Sequence, residues 1–284
     1  MEKIAIVVDS GLNLNKDYIE KNDIFVLPLK VIHNDRVYLD GVDINSVQVC
    51  EMLKTDIPKT SLPSVSEISD MFDKVIEKGY SKIICIAIAS ALSGTYNAMR
   101  IVSEERTDIE SYVIDTKNIS IASGLIAKFA KKLVDLGQDY KKVIETVEKN
   151  IENARIFFMV DTLEYLRKGG RIGLVSFLLA SKLNLKPIIS CNENGVYHTV
   201  AKARGRKHAI EVMQKLAEKF CEGKKIYDLA TVHFASLEDF GSFTDKILQM
   251  LPKSESFDTA EASPTLGIHT GPKALGIAVF APEM

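Results

Sequence analysis

Two hydroxyl-bearing segments could bind an anion. Ser93-Gly94-Thr95 follows the apolar run Ile83–Ala89 and precedes helical spacing that begins near Tyr96. Hydroxyls donate hydrogen bonds to a carboxylate or phosphate, and Gly94 lets the backbone approach closely. A helix N-terminus adds free N–H groups and a positive dipole end. Thr60 and Ser61 stand in a comparable place, in a loop ahead of Ser64 and Glu67, whose spacing forms a capping box. Two such loops could converge on one anion; equally, their hydroxyls could simply cap helices. His269 lies in Thr265-Leu266-Gly267-Ile268-His269-Thr270-Gly271-Pro272. There it could hydrogen-bond a buried carboxylate or serve as a satisfied structural histidine. Two basic clusters remain, Arg167-Lys168-Gly169-Gly170-Arg171 and Lys202-Ala203-Arg204-Gly205-Arg206-Lys207-His208. The first fits either an exposed turn that meets an acidic or phosphorylated partner or a basic helix C-terminus with glycine caps, and the second reads as a solvated strand-to-helix turn.

Much other chemistry lacks its signature. There is no G-x-G-x-x-G, no P-loop and no G-x-S-x-G. Cys50, Cys85, Cys191 and Cys221 are scattered, as expected of reduced, packed thiols. His33, His198, His208, His233 and His269 form no metal-binding spacing, so no metal site is expected. A serine hydrolase or acyltransferase built on Ser93 would need a base and an orienting acid. Only His269 can be nominated as the base, and no acid is assigned.

The elements that must position these residues read as alternating strands and helices in the first half. Strands are expected at Ile4–Val8, Ile24–Leu29, Ile83–Ala89 and Tyr112–Ile114. Helices are expected after Ser64, near Tyr96, and over Ile119–Leu136 and Tyr140–Ile151. That alternation indicates a parallel α/β sheet. After about Asn153 the pattern changes. A hairpin turns through Asn192-Glu193-Asn194-Gly195, helices fall near Lys207–Cys221 and Glu238–Leu251, and strands fall at Ile156–Val160, Leu229–Phe234 and Ile277–Phe280. The expectation is an N-terminal parallel-sheet α/β domain over residues 1–153. A C-terminal α+β domain with a largely antiparallel sheet should cover 154–284. Leu174–Leu183 reads as an unusually apolar helix, buried on several sides or lining an apolar cavity.

The chain has 284 residues, 46% of them hydrophobic, enough for a real core. Lys plus Arg is 36 and Asp plus Glu is 38, so the net charge of −2 argues against binding driven by bulk positive charge, as with nucleic acid. No apolar run approaches the roughly 18 residues of a membrane span. The N-terminus reaches Asp9 too soon for a signal peptide. A soluble, cytoplasmic protein is expected.

Taken together, these segments resemble the DegV family, which includes the fatty-acid-binding subunits (FakB) of bacterial fatty acid kinase. The resemblance runs from Ile4-Ala5-Ile6-Val7-Val8-Asp9-Ser10 through Val26-Leu27-Pro28-Leu29, Asp40-Gly41-Val42-Asp43 and Pro58–Ser64. It continues through Leu92-Ser93-Gly94-Thr95-Tyr96, the block Val160–Ile172, Lys186-Pro187-Ile188, Arg204–Lys207 and His269–Pro272. The resemblance implies a non-enzymatic carrier that holds one long-chain fatty acid in a tunnel between two domains, with no further cofactor. It implies that Thr60, Ser61, Ser93, Gly94 and Thr95 meet the carboxylate, with His269 in the surrounding network. A separate ATP-dependent kinase would convert the bound acid to acyl-phosphate, with Arg171 and Arg204 facing it. Contact with a membrane would be transient. Ala91, Leu62 and Lys273 depart from the usual pattern; Leu62 and Lys273 sit beside the proposed site segments and bear on chain-length preference.

Overall fold

The computed structural model describes residues 3–175 and 185–283. The apolar helix expected at Leu174–Leu183 falls almost wholly outside the described residues.

The chain opens with β1 (Ile4–Asp9), α1 (Lys16–Lys21) and β2 (Phe25–Leu27). A hairpin of β3 (Lys30–His33) and β4 (Arg36–Leu39) follows, then α2 (Ser46–Met52), β5 (Lys59–Ser61), α3 (Val65–Glu77) and β6 (Lys82–Ala87). Next come α4 (Thr95–Glu105), β7 (Glu110–Asp115), α5 (Ser120–Asp135) and α6 (Tyr140–Asn150). The second half contains β8 (Ala154–Met159), α7 (Glu164–Lys168), β9 (Leu185–Cys191), β10 (Tyr197–Arg204) and α8 (Arg206–Cys221). It ends with β11 (Asp228–Phe234), α9 (Leu237–Met250), β12 (Ser256–Glu261), α10 (Pro264–Thr270) and β13 (Ala274–Phe280).

These strands make three sheets. Four run parallel in the order β2-β1-β6-β7. Six make the order β10-β9-β8-β13-β11-β12, antiparallel except between β11 and β12. The fold is therefore mixed α/β, a parallel-sheet N-terminal domain followed by a largely antiparallel one, as the periodicity predicts. A third, three-stranded antiparallel sheet, β4-β3-β5, is not anticipated. Its strands are only three or four residues long, too short to show a period.

Strand alternation sorts the core into layers. From β8, Ile156 and Phe158 enter the layer shared with the parallel sheet, while Phe157 and Met159 pack beneath α8 and α9. From β1, Ile4, Ile6 and Val8 join that shared layer, and Ala5 and Val7 face α3 and α4. Helix α5 lies within the shared layer, so ten consecutive residues from Ser120 to Phe129, all but Lys128, are buried. The parallel strand order reverses between β1 and β6. In open α/β sheets the crevice beyond the carboxyl ends at such a reversal receives ligands.

Candidate functional site

Ser93 sits in the turn after β6, at the carboxyl end of the parallel sheet. Its Oγ lies 2.8 Å from Thr95 Oγ1 and accepts from Thr95 N–H at 3.3 Å. Gly94 is the N-cap of α4 and supplies no side-chain cap. Thr60 and Ser61 do not occupy a loop, as the capping box suggests. They form β5, held as a strand because β3 offers a free edge: Thr60 pairs with Val31 and Ser61 with Lys30. The Ser64–Glu67 capping box does form, immediately afterwards.

His269 comes from α10, which the sequence reading leaves as a segment near the last strand. Its Nε2 lies 2.8 Å from Thr60 Oγ1, so its protein partner is a hydroxyl. Nδ1 is buried with no partner. Burial, reinforced by the Arg171 cation, pushes the His269 pKa down to about 4, so the imidazole is neutral at pH 7. Glycine makes this packing possible. A Cβ at Gly169 would fall on the imidazole, and one at Gly271 would fall on the Tyr165 ring. The double glycine after α7 thus lets that helix end against His269.

These segments converge on one cavity. Its polar part is lined by Thr60, Ser61, Ser93, Gly94, Arg171 and His269. Its apolar part is lined by Leu29, Ile88, Ile119, Ile156, Phe158, Val232, Phe234 and Leu266, among others. The empty volume is about 1050 Å³, part of it open to solvent. A second, more polar groove shares Thr60, Arg171 and His269 and adds Lys59, Glu164, Tyr165 and Lys168. The Thr60–His269–Arg171 layer therefore stands between an apolar interior and an outer polar groove.

The remaining predicted residues divide. Arg171, expected to face a partner, also lines the cavity; its guanidinium donates to the carbonyls of Leu92 and Gly169. A cation thus accompanies the hydroxyls. Thr95 is buried and absent from the lining; its hydroxyl lies against Ser93 Oγ. Arg204 is exposed at the end of β10, opposite Leu185, and lies outside the cavity. His269 bonds Thr60 and not Ser93, so the nucleophile–base hydrogen bond of a serine hydrolase does not form.

Sequence reading missed the Asp40 network. Asp40 accepts from Ser10 Oγ and Thr265 Oγ1 at 2.6 Å each, and from Thr265 N–H at 3.1 Å. Asp9 accepts from Gly11 N–H at 2.8 Å and Ile88 N–H at 2.9 Å. Burial raises both carboxyls, Asp9 to about 7. The only signal was the pair of acidic turns, Asp9-Ser10-Gly11 and Asp40-Gly41, each following an apolar strand. Among the described residues, no helix is long and apolar enough to cross a membrane.

Known proteins share this fold. A DegV domain-containing protein of Clostridium acetobutylicum is 39% identical, covering 99% of both chains. A DegV family protein from Thermus thermophilus, described for its fatty acid binding, superimposes with a TM-score of 0.92. It is 26% identical and covers 98% of this chain and 99% of its own. A stearic acid-binding protein from Eubacterium ventriosum superimposes at 0.89 with 29% identity, covering 99% and 98%. The family model described as "Uncharacterised protein, DegV family" matches residues 3–282. With that match spanning nearly every described element, the chain belongs to the DegV family.

Proposed function

We propose that this protein binds one long-chain fatty acid and presents its carboxylate to a partner kinase, without catalysing a reaction itself. The observation that carries the reading is one cavity in which hydroxyls, Arg171 and a neutral His269 adjoin an apolar interior. The fatty acid binding described for the Thermus thermophilus and Eubacterium ventriosum relatives supports it.

Burying the tail gains about 0.8 kcal/mol per CH₂, so a dozen carbons supply ample affinity. The carboxylate must then be hydrogen-bonded, because burying it unpaired is costly. Thr60, Ser61 and Ser93 donate those bonds, with the backbone near Gly94. The His269 tautomer follows from its surroundings. A buried N–H without an acceptor is rarer than an unpartnered acceptor, so the proton belongs on Nε2 and Nδ1 is left bare. Nε2–H then donates to Thr60 Oγ1, which frees the Thr60 proton for the ligand.

In the transfer step a carboxylate oxygen attacks the terminal phosphorus of the kinase's ATP. A new P–O bond forms, the bond to ADP breaks, and acyl-phosphate remains on this protein. Arg171 faces the outer groove and meets the incoming phosphate, with Arg204 on the docking face. The reading places the protein in the cytoplasm, with transient membrane contact to exchange lipid. It divides the chain into functional units at 153/154, immediately before β8 begins at Ala154.

Protein purified from a bacterial host will carry a fatty acid, seen as a mass lost in native mass spectrometry after organic extraction. Repeatedly empty preparations would sink the proposal. Ser93→Ala will weaken a fluorescent fatty acid more than Arg171→Ala does. Arg171→Ala will mainly impair kinase-dependent phosphorylation. Equal binding losses would contradict that division of roles.

A further inference from the structure

Helix α10 is attached to the three-stranded sheet at two points. Strand β3 pairs with β4 on one side and β5 on the other, so Val31 lies between Tyr38 and Thr60. Asp40 directly follows β4, and Thr60 lies on β5. Their partners, Thr265 and His269, are four residues apart on α10, one helical turn. The sheet therefore grips the helix at its first turn through Asp40 and at its last through Thr60.

The first attachment answers a local deficit. Ser263, the N-cap of α10, makes no side-chain cap bond. Asp40 takes that role from another element, accepting the Thr265 N–H and hydroxyl together. Ser10 Oγ donates to Asp40 and itself accepts the Leu29 N–H, which fixes the carboxylate against β1. Asp40 is buried, so water cannot replace these bonds.

We infer that Asp40 is a positioning residue: through Thr265 it sets the axis of α10, and hence the direction in which His269 aims the Thr60 hydroxyl. The inference rests on the fatty-acid reading for the ligand but not for the geometry. Without Asp40, the side-chain hydrogen bonds from the three-stranded sheet hold α10 only at its far end, and core packing through Leu266 and Ile268 is left to set its axis. A tilt of α10 then carries the imidazole out of line with the Thr60 hydroxyl and away from the Arg171 cation beside it.

Two variants test this by titration with fluorescent fatty acid and by nitrogen NMR of the His269 ring. Asp40→Asn keeps the volume and removes the charge. Thr265→Val removes one donor and leaves every charge in place. Asp40→Asn should weaken binding about tenfold, the loss of one charge-assisted hydrogen bond; Thr265→Val should have a smaller effect of the same sign. In both, His269 should titrate above about 4, moving toward its ordinary 6.5. In a His269→Ala background neither change should alter affinity further. A fall in melting temperature with affinity and His269 titration unmoved would overturn the inference. If Asp40→Asn does not fold, Thr265→Val alone decides it. If the unaltered protein binds no fatty acid, the functional reading falls while the His269 titration still judges Asp40.

Discussion

The apolar wall of the cavity comes from long, paired strands: Ile156 and Phe158 on β8, Val232 and Phe234 on β11. The polar end comes from the short strand β5, a turn after β6, the stretch beyond α7, and α10. Its key hydrogen bond, Thr60 to His269, joins residues 209 apart in sequence. The wall is redundant, since each side chain has many apolar neighbours and dispersion spreads the energy among them. The polar end is directional, since each group has one or two partners at fixed angles. One region should therefore fail in stability, and the other in binding.

The sharpest test of the wall is Phe158→Ala. Phe158 is buried against Tyr197 with ring centroids 5.1 Å apart. Its loss should cost about 3–5 kcal/mol by urea denaturation, while the protein that remains folded still binds an acyl chain. A binding loss out of proportion to the stability loss would break the contrast.

The next effect is read with pH. The folded His269 pKa, about 4, lies below the unfolded value of 6.5. Between those values the unfolded chain takes up a proton that the folded protein refuses. The stability contributed by neutral His269 is thus full above pH 6.5 and is lost as pH falls toward 4. The slope approaches about 1.4 kcal/mol per pH unit. Asp9 works oppositely. Its raised pKa, about 7 against 3.8, gives stability that is full below pH 3.8 and fades as pH rises to 7. Comparing His269→Ala with the unaltered protein isolates the first effect: the variant should gain relative stability on acidification from pH 6.5 to 4. Parallel pH profiles would contradict a buried, neutral imidazole.

Gly169→Ala probes the polar end directly. Gly169 has an ordinary helical φ of −76°, so the backbone tolerates alanine, but the added methyl must displace the imidazole. A cost of about 1–3 kcal/mol is expected from overpacking, together with a loss of acyl affinity that Phe158→Ala does not show. The smallest effect concerns Lys273, which holds φ at +67° just before β13. Lys273→Gly should raise stability by about 0.5–1 kcal/mol in thermal denaturation.

The same contrast explains what the sequence reveals. The wall is legible because strands six or seven residues long, such as β8 and β13, carry enough apolar residues to show themselves. Ser93 is legible because it stands between a buried strand and a helix. Thr60 and His269 are legible only as separate hydroxyl and imidazole segments. Their partnership depends on β5 and α10, elements of three and seven residues whose form is set by tertiary contacts. Asp40 is hidden further, because an aspartate before glycine is the ordinary mark of a turn.

Gly169 leaves no slack between the end of α7 and the His269 ring. Helix α7 carries Glu164 and Lys168 into the outer groove, so the helix that lines that groove ends directly on the ring. Any side chain larger than hydrogen at position 169 therefore has to move the imidazole, and with it the hydrogen bond to Thr60.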